Sequence, residues 1–282
     1  CNDYNGYEGL SYALTDDVTL KGEFSPVKRF CGIFSGNGYS ISGIKANGER
    51  VALFLDASGA EIKNLSLSGE ISASYEGASF ALVTDAKTAI EWCYSSVDLT
   101  AGDRGGGLVL QNNGKIYLSF YDGELRGSEL GGIVNENNES GAINNSFSSG
   151  IIVGAGKVGG IATFNKGKIN GCYIYGYVEG NLVGGIAYSN EKVVSNCVVR
   201  AGVKGVTDAG AICFIRTGEN TITKTFYNRD EISYSAWLGV SDEENEVFAK
   251  SRSYFYSDGP DEYRAFKEQT YNAEYDAYYG YL

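Results

Sequence analysis

The apolar and polar positions of this chain follow a long repeat. Between Arg104 and Gly205 one order recurs four times: a pair of glycines, a short apolar run, a polar turn, a second apolar run and a closing glycine. The successive steps are 25, 28 and 25 residues between the second glycines of the pairs, Gly107, Gly132, Gly160 and Gly185. Repeats of about 20 to 50 residues are typical of solenoids, in which one coil cannot bury its apolar face alone. The pattern therefore predicts a stack of coils.

Aligning the repeats places similar side chains in columns. One column is aliphatic and contains Ile62, Ile90, Ile116, Ile143, Ile169, Val194 and Ile222. A small-residue column contains Cys93, Ser119, Ser146, Cys172, Cys197 and Thr225. The next residue of each coil forms an aromatic-rich column of Tyr94, Phe120, Phe147, Tyr173, Val198 and Phe226. A second aliphatic column contains Ile71, Leu99, Leu125, Ile152, Val178 and Val203. Adjacent residues of a strand face opposite sides, so only one of the small and aromatic columns faces inward, and the sequence leaves open which.

These columns predict an all-β fold, a single-stranded parallel β-helix. A coil of 25 residues has a contour of about 80 Å, enough for three short strands and their corners. Parallel strands joined by crossovers are expected to wind right-handed. Asn112, Asn137, Asn165 and Asn190 form a further column, for which we predict a structural ladder of left-handed turns and stacked amides.

Three regions are predicted along the chain. Residues 1–50 form an N-terminal cap with entry strands, beginning in a helical turn at Glu8, and 51–227 form the coils. An Asn-Gly turn after Phe34 predicts a strand on either side of it. Residues 228–282 form a small helical, acidic, tyrosine-rich C-terminal segment.

Two helices are predicted in the C-terminal segment. A capping box at Ser241–Glu244 predicts a short helix that continues through Val247 and Phe248. The segment 258–262 predicts a second helix start. An aromatic helix face is predicted there, made of Tyr271, Tyr275, Tyr278 and Leu282. This segment could cover the last coil or present a surface to a partner.

Composition limits the partners. The formal net charge of −12 argues against a nucleic acid or an anionic lipid surface. No apolar run is long enough for a transmembrane helix. The 39 glycines with only 2 prolines fit a turn-rich repeat better than a disordered chain.

Six cysteines could pair in a secreted protein. Three of them share the small-residue column and are expected to be free, buried residues. The remaining cysteines, Cys1, Cys31 and Cys213, could be paired or free. Cys1 could also be the lipidated residue of a mature lipoprotein, and the sequence leaves lipidation and a disulfide both open.

Catalytic chemistry has little support. The absence of histidine removes Ser-His and Cys-His nucleophile pairs, and acids such as Glu124, Glu136, Glu179 and Asp208 lie at different repeat positions. We therefore expect no enzyme activity, no metal and no cofactor. Exposed aromatic residues are the predicted partner-binding residues, namely Tyr175, Tyr177 and Tyr188.

The double glycine, the isoleucine, the Ser/Cys-aromatic pair and the closing glycine resemble the GLUG repeat of bacterial surface proteins. The resemblance implies a right-handed parallel β-helix on a secreted or surface-anchored protein, frequently adhesin-like. The expected function is a non-enzymatic extracellular adhesin or scaffold that binds a host or matrix glycan or protein. The alternatives are a filament subunit whose partner is another copy of itself and, with less support, a polysaccharide-degrading enzyme.

Overall fold

The computed structural model describes residues 10–218, 221–233 and 247–250. Its strands are short, and every pairing between them is parallel, in three sheets that run along one stack of coils. The first sheet has nine strands, one for each of about nine turns. Within the described residues, helix is limited to a single 3₁₀ turn at Arg229–Glu231. The predicted all-β parallel solenoid is confirmed.

The first sheet forms one wall of the solenoid. Its strands are Ser11–Ala13, Ile33–Ser35, Glu61–Lys63, Ala89–Glu91, Lys115–Tyr117, Ala142–Asn144, Lys168–Asn170, Val193–Ser195 and Thr221–Thr223. The first predicted aliphatic column runs through the centres of the last seven strands, because Ile116 pairs with Ile143 and Ile143 pairs with Ile169. Every member of the column is fully buried.

The second sheet forms the longest wall, and in most coils its strand is interrupted or bent. Its strands are Val18–Thr19, Ser40–Val51, Ser66–Ala78, Tyr94–Gly106, Phe120–Tyr121, Glu124–Gly131, Phe147–Ser148, Ile151–Gly154, Lys157–Gly159, Tyr173–Ile174, Tyr177–Gly184, Val198–Val199, Gly202–Gly210, Thr225–Asn228, Ile232–Ser233 and Val247–Lys250. The second aliphatic column is in register here, from Ile71 through Leu99 and Leu125 to Val203.

The third sheet closes each coil. Its strands are Phe54–Asp56, Ala81–Val83, Val109–Asn112, Val134–Asn137, Ala162–Asn165, Ala187–Asn190 and Cys213–Arg216. The paired glycines form the bend between the second and third sheets. A Cβ at Gly132 would lie 2.1 Å from the carbonyl oxygen of Gly160, and a Cβ at Gly160 would lie 2.1 Å from that of Gly185. Side chains would collide there, so glycine recurs in every regular coil.

The small-residue column faces the interior. Cys93, Ser119 and Cys172 are fully buried, and the cysteines belong to the main hydrophobic core. These side chains also bond the backbone at the corner. The Ser119 hydroxyl donates to the Tyr117 carbonyl oxygen at 2.9 Å and accepts from the Cys93 amide at 3.2 Å. The column therefore selects residues that are small and can form such hydrogen bonds.

A left-handed residue precedes each of the six small residues, and also Leu65 at the same position of an earlier coil, at the corner between the first and second sheets. The seven residues are Asn64, Trp92, Leu118, Asn145, Gly171, Asn196 and Lys224, with φ between 45° and 66°. Left-handed turns were predicted at the Asn112 column, and that part of the prediction is wrong, because those asparagines lie in or at the end of strands and do not have positive φ. Asn and Gly suit the left-handed conformation, but Trp92 and Leu118 are bulky exceptions in adjacent coils.

The N-terminal strands belong to the stack. Ser11–Ala13 pairs with Ile33–Ser35, and Val18 pairs with Ile41. The predicted turn between strands is present, with φ of 52° at Asn37 and 85° at Gly38. Glu8, where a helical turn was predicted to begin, lies outside the described residues.

The short helix predicted through Val247 and Phe248 is wrong at these two residues. They lie in the strand Val247–Lys250, which pairs in parallel with Thr225–Asn228. Val247 is buried in the core, and the ring of Phe248 stacks on Phe226 with centroids 5.1 Å apart. Burial in the column outweighs the local helix signal. The capping box and the segment 258–262 lie outside the described residues.

Candidate functional site: an outward aromatic face

The aromatic-rich column lies on the outside of the second sheet. Its members form small clusters that are separate from the main core. The rings of Phe120 and Phe147 stack with centroids 4.2 Å apart, and Tyr94 and Tyr173 are half-buried. This outward orientation follows from the inward position of the small residue immediately before each ring.

Two further columns widen this surface. One contains Asp122, Ser149, Tyr175 and Arg200, and the other contains Asp98, Glu124, Ile151 and Tyr177. Tyr175 is 49% exposed and Ile151 is 48% exposed, so large apolar side chains reach solvent here. We call the three columns together the aromatic face. The face contains the predicted residues Tyr175 and Tyr177.

Polar contacts hold the rings of the aromatic face at its later coils. The Tyr177 hydroxyl donates to Glu179 Oε2 at 2.6 Å, and Lys204 Nζ lies 2.7 Å from Glu179 Oε1. The hydrogen bond to Glu179, together with burial, raises the pKa of Tyr177, while the bonds from Lys204 and Tyr177 lower the pKa of Glu179. The guanidinium of Arg200 lies 5.7 Å from the ring centroid of Tyr175.

The earlier coils of the face carry carboxylates. Asp122 accepts from the Ser149 hydroxyl at 2.7 Å, and Asp98 accepts from the backbone amide of Glu124 at 2.9 Å. Burial, followed by the charge of Asp122, raises the pKa of Tyr94. The face is therefore more acidic at Asp98 and Asp122 in its earlier coils, and more basic at Arg200 and the adjoining Lys204 in its later coils.

Tyr188 does not lie on this face and is not exposed. It belongs to the third sheet and is only 7% exposed. Its ring stacks on Phe214 at 5.6 Å and meets Phe164 edge-on at 5.8 Å, while Lys157 Nζ lies 5.6 Å from its centroid. The repeat pattern predicted an exposed tyrosine, but the bend at the paired glycines brings the second and third sheets together there, and the neighbouring coils cover the ring.

An ion-pair cluster missed by the sequence analysis bridges the same bend. Glu76 is 3% exposed and pairs with Arg104 and, at 2.7 Å, with Arg50. Arg104 also contacts Glu136 Oε1 of the third sheet at 2.7 Å. Partial burial opposes the charged guanidinium, but the hydrogen bond and charge of Glu76 raise the pKa of Arg104 overall. Both carboxylates are held by guanidinium groups, which suits clamping of the bend rather than proton transfer. The available signal was the alternation of charge at one repeat position in Arg50, Glu76, Arg104, Glu129 and Lys157.

The predicted asparagine column forms a continuous chain of amides inside the solenoid. Asn112 Nδ2 donates to Asn137 Oδ1 at 2.9 Å, Asn137 donates to Asn165 at 2.7 Å, and Asn165 donates to Asn190 at 2.6 Å. All four residues are buried. The Thr84 hydroxyl donates to Asn112 Oδ1 at 3.2 Å and extends the chain by one coil.

The described cysteines fall into two groups. Cys93, Cys172, Cys197 and Cys213 are free and buried, whereas Cys31 is disulfide-bonded. Burial raises the pKa of Cys93 and of Cys213 to about 12, and it raises that of Cys197 well above its ordinary value. Thiols in this state are poor nucleophiles at neutral pH. Over the described ranges, no three His, Cys, Asp or Glu side chains are grouped as metal ligands.

The other predicted site residues lie outside the described residues. They are Cys1, Tyr271, Tyr275, Tyr278 and Leu282. Among the helices of the described chain, none is long and apolar enough to cross a membrane.

Comparison with known proteins supports the fold. The sequence matches no protein-family profile and no curated protein. The structure is similar to a crystal structure from Bacteroides ovatus that is described as a "putative immunoglobulin A1 protease", with a TM-score of 0.56 and 17% sequence identity over 88% of this chain and 79% of that chain. At this identity the similarity shows a shared solenoid fold.

Proposed function

We propose that this chain is a right-handed, GLUG-type β-helix that acts as a non-enzymatic extracellular adhesin or scaffold. The outward aromatic face carries the proposal. Tyr175 and Ile151 of this face are each about half exposed, beside a column of aromatic rings that lies outside the main core. Aromatic residues are enriched at protein interfaces because they give a large contact area at little conformational cost. The proposed ligand is a host or matrix glycan or protein.

Two observations support a location outside the cytoplasm. Cys31 is disulfide-bonded, and disulfides persist in oxidising compartments. The repeat resembles that of bacterial surface proteins, so we place this chain at the cell surface.

The non-enzymatic part of the proposal rests on the available side chains. The protein of similar fold is described as a protease, which makes peptide hydrolysis the activity to test. This chain has no histidine, the described free thiols are buried, and burial raises the pKa of Cys93 and of Cys213 to about 12. A serine or cysteine nucleophile would therefore lack its common activating base.

Binding can be tested on glycan arrays and on immobilised matrix proteins. Tyr175→Ala is expected to weaken binding about tenfold or more, as removal of an exposed anchor ring does at interfaces. Val206→Ala is the matched control, because Val206 is 67% exposed but lies elsewhere in the strand Gly202–Gly210, outside the aromatic face. Equal binding by the two variants would reject the aromatic face as the ligand site. Cleavage products from immunoglobulin A1 or a polysaccharide would reject the non-enzymatic assignment.

A filament subunit remains the second candidate because of one observation. Among the strands that the structure describes, Ser11–Ala13 is the outermost of the first sheet; it is exposed along its whole length and leaves a sheet edge there. Such edges can pair with another chain. Electron microscopy of the purified protein separates the two functions, since regular filaments favour assembly and dispersed rods favour a monomeric binder.

A further inference from the structure

The corner between the third and first sheets, with the strand ends beside it, carries a row of basic side chains. We call it the basic ridge, and it consists of the segments 84–89, 113–115, 138–142, 166–168, 191–193 and 216–218 of six successive coils. Its basic residues are Lys87, Lys115, Lys166, Lys168, Lys192 and Arg216. These six cations and the ridge's three carboxylates leave a net charge of +3, in a chain whose net charge is −12.

The buried asparagine chain fixes the backbone of the ridge. Each of its four asparagines ends a strand of the third sheet, and the next residue begins a ridge segment. Asn165 Oδ1 accepts from the Gly167 amide at 3.3 Å, and Asn190 Nδ2 donates to the Lys192 carbonyl oxygen at 3.2 Å. The core therefore sets the positions from which the lysine side chains extend.

The cations of the ridge follow the axis of the stack. Lys115 pairs in register with Ala142, and Ala142 pairs with Lys168, so the two lysines occupy one position two coils apart. Neighbouring parallel strands are about 4.8 Å apart, which places these two lysines about 10 Å apart and gives the ridge a length of about 24 Å. Glu139 and Glu191 interrupt the row.

The cations of the ridge differ from those at the bend between the second and third sheets and beside the aromatic face. Arg104 and Lys204 each contact a carboxylate oxygen at 2.7 Å. Over the described ranges, none of the six ridge cations forms an ion pair, although Lys166 and Glu191 belong to adjacent coils. All of them except Arg216 are exposed, so their charge is available to a ligand.

The chemistry of the ridge defines the ligand. An ammonium group is a compact point charge that pairs with sulfate or carboxylate without the planar geometry of a guanidinium. Cations about 10 Å apart with carboxylates between them suit a chain of spaced charges better than a nucleic acid, which carries one charge per about 1.7 Å of duplex. The ridge segments also contain no aromatic residue on which bases could stack. We propose that the basic ridge binds a linear anionic polysaccharide through its sulfate or carboxylate groups.

This site is separate from the aromatic face. The aromatic face lies on the second sheet, whereas the ridge lies at the one corner of the coil that the second sheet does not form. The choice of a polysaccharide rests on the extracellular location proposed above. The charge of the ridge does not depend on what binds the aromatic face, so the chain can hold two ligands at once.

Binding to soluble polymers tests the ligand class. The probes are heparin, which carries sulfate and carboxylate, polygalacturonate, which carries carboxylate alone, and neutral dextran. The expected result is binding to heparin or to both charged polymers but not to dextran. Affinity should fall by about tenfold or more between about 0.15 M and about 1 M salt, because the screening length shortens from about 8 Å to about 3 Å. Binding to heparin alone assigns sulfate as the group recognised.

Two results of this experiment would overturn the proposal. One is that neither charged polymer binds. The other is that single- or double-stranded DNA binds as tightly as the charged polysaccharide, which would make the ridge a general polyanion surface.

Charge removal locates the site. The ridge variant changes three lysines to glutamine, Lys115→Gln, Lys166→Gln and Lys168→Gln. The matched control removes the same charge from three exposed lysines of the N-terminal coils, Lys21→Gln, Lys28→Gln and Lys45→Gln. The ridge variant is expected to lose about tenfold or more in affinity, whereas the control and a version of the ridge variant with arginine at the same three positions keep it. Equal affinities of the ridge variant and the control, at equal melting temperatures, would overturn the assignment.

Tyr175→Ala separates this proposal from the aromatic face. It is expected to bind the charged polysaccharide as the unaltered chain does. Loss of that binding in Tyr175→Ala but not in the ridge variant would place the polysaccharide on the aromatic face and overturn the ridge. If Tyr175→Ala leaves every ligand bound, the aromatic face is rejected, while loss of polysaccharide binding in the ridge variant still supports the ridge.

Discussion

The small-residue column and the aromatic column differ by a single residue along the chain, yet they obey different rules. The inner position accepts only Ser, Cys or Thr in the six coils from Cys93 to Thr225, because each side chain is fully buried and bonds the backbone at a corner. The outer position holds Tyr, Phe or Val, and its rings stack along the surface without entering the main core. Uniformity in this solenoid therefore reflects packing constraints. A ligand-binding surface can develop at exposed positions, where the residue differs from coil to coil.

The largest expected effect comes from comparing the truncation of a buried side chain with that of an exposed side chain in the same coil. Ile143→Ala is expected to destabilise the protein by about 3 kcal/mol, because a fully buried side chain of the aliphatic column leaves a cavity. Ile151→Ala, on the aromatic face, is expected to change stability by less than about 0.5 kcal/mol. Urea unfolding of both variants provides the measurement. Similar losses for the two would contradict the assigned orientation of the strands.

The free energy of unfolding should fall at alkaline pH because of the buried cysteines. Their pKa rises from an ordinary 9.0 to about 12 in Cys93 and Cys213. Between these values the unfolded chain releases thiol protons that the folded chain keeps, so stability is intact below pH 9 and falls as pH rises. The loss per thiol is about 1.4 kcal/mol for each pH unit.

Urea unfolding between pH 8 and pH 10.5 measures this slope. Tyrosines also ionise in this range, so the comparison is made with Cys93→Ser, which keeps them all and removes one thiol. A slope that is the same in both proteins would show that Cys93 does not titrate differently in the two states.

The smallest expected effect concerns the left-handed residue at the corner between the first and second sheets. Lys224 has a φ of 47° at a position where four of the six other coils place Asn or Gly. Lys224→Asn is expected to stabilise the protein by about 0.5 to 1 kcal/mol, because asparagine tolerates this conformation better. Lys192→Asn is the control, since Lys192 is also exposed but is not left-handed. An equal gain in melting temperature for both variants would exclude relief of backbone strain as the cause.

Column membership was predictable from the sequence because it depends only on register. The pairing of Ile116 with Ile143, and of Phe120 with Phe147, follows the alignment of the repeats. Which of the small-residue and aromatic columns faces inward was not predictable, because alternation along a strand fits either orientation equally well. The aromatic column's outward position emerged only when the burial of Ser119 and Cys93 was known.

Sequence analysis also missed features that depend on contacts between the sheets and between coils. Tyr188 is covered because a bend brings coils together around it, and Glu76 finds Arg104 and Glu136 across that same bend. Val247 and Phe248 have a local helix signal, yet they continue two existing columns as a strand. In each case a contact between residues far apart in sequence decides the outcome.

The amide chain of Asn112, Asn137, Asn165 and Asn190 has a direction, since the Nδ2 of each of the first three donates to the Oδ1 of the following coil. Each of these contacts between neighbouring coils is therefore the same hydrogen bond, from an asparagine Nδ2 to an asparagine Oδ1. Duplication or deletion of a whole coil preserves every such junction, whereas loss of a fraction of a coil does not. Gene-level changes in multiples of one repeat can thus lengthen or shorten this protein while leaving the chemistry between neighbouring turns unaltered.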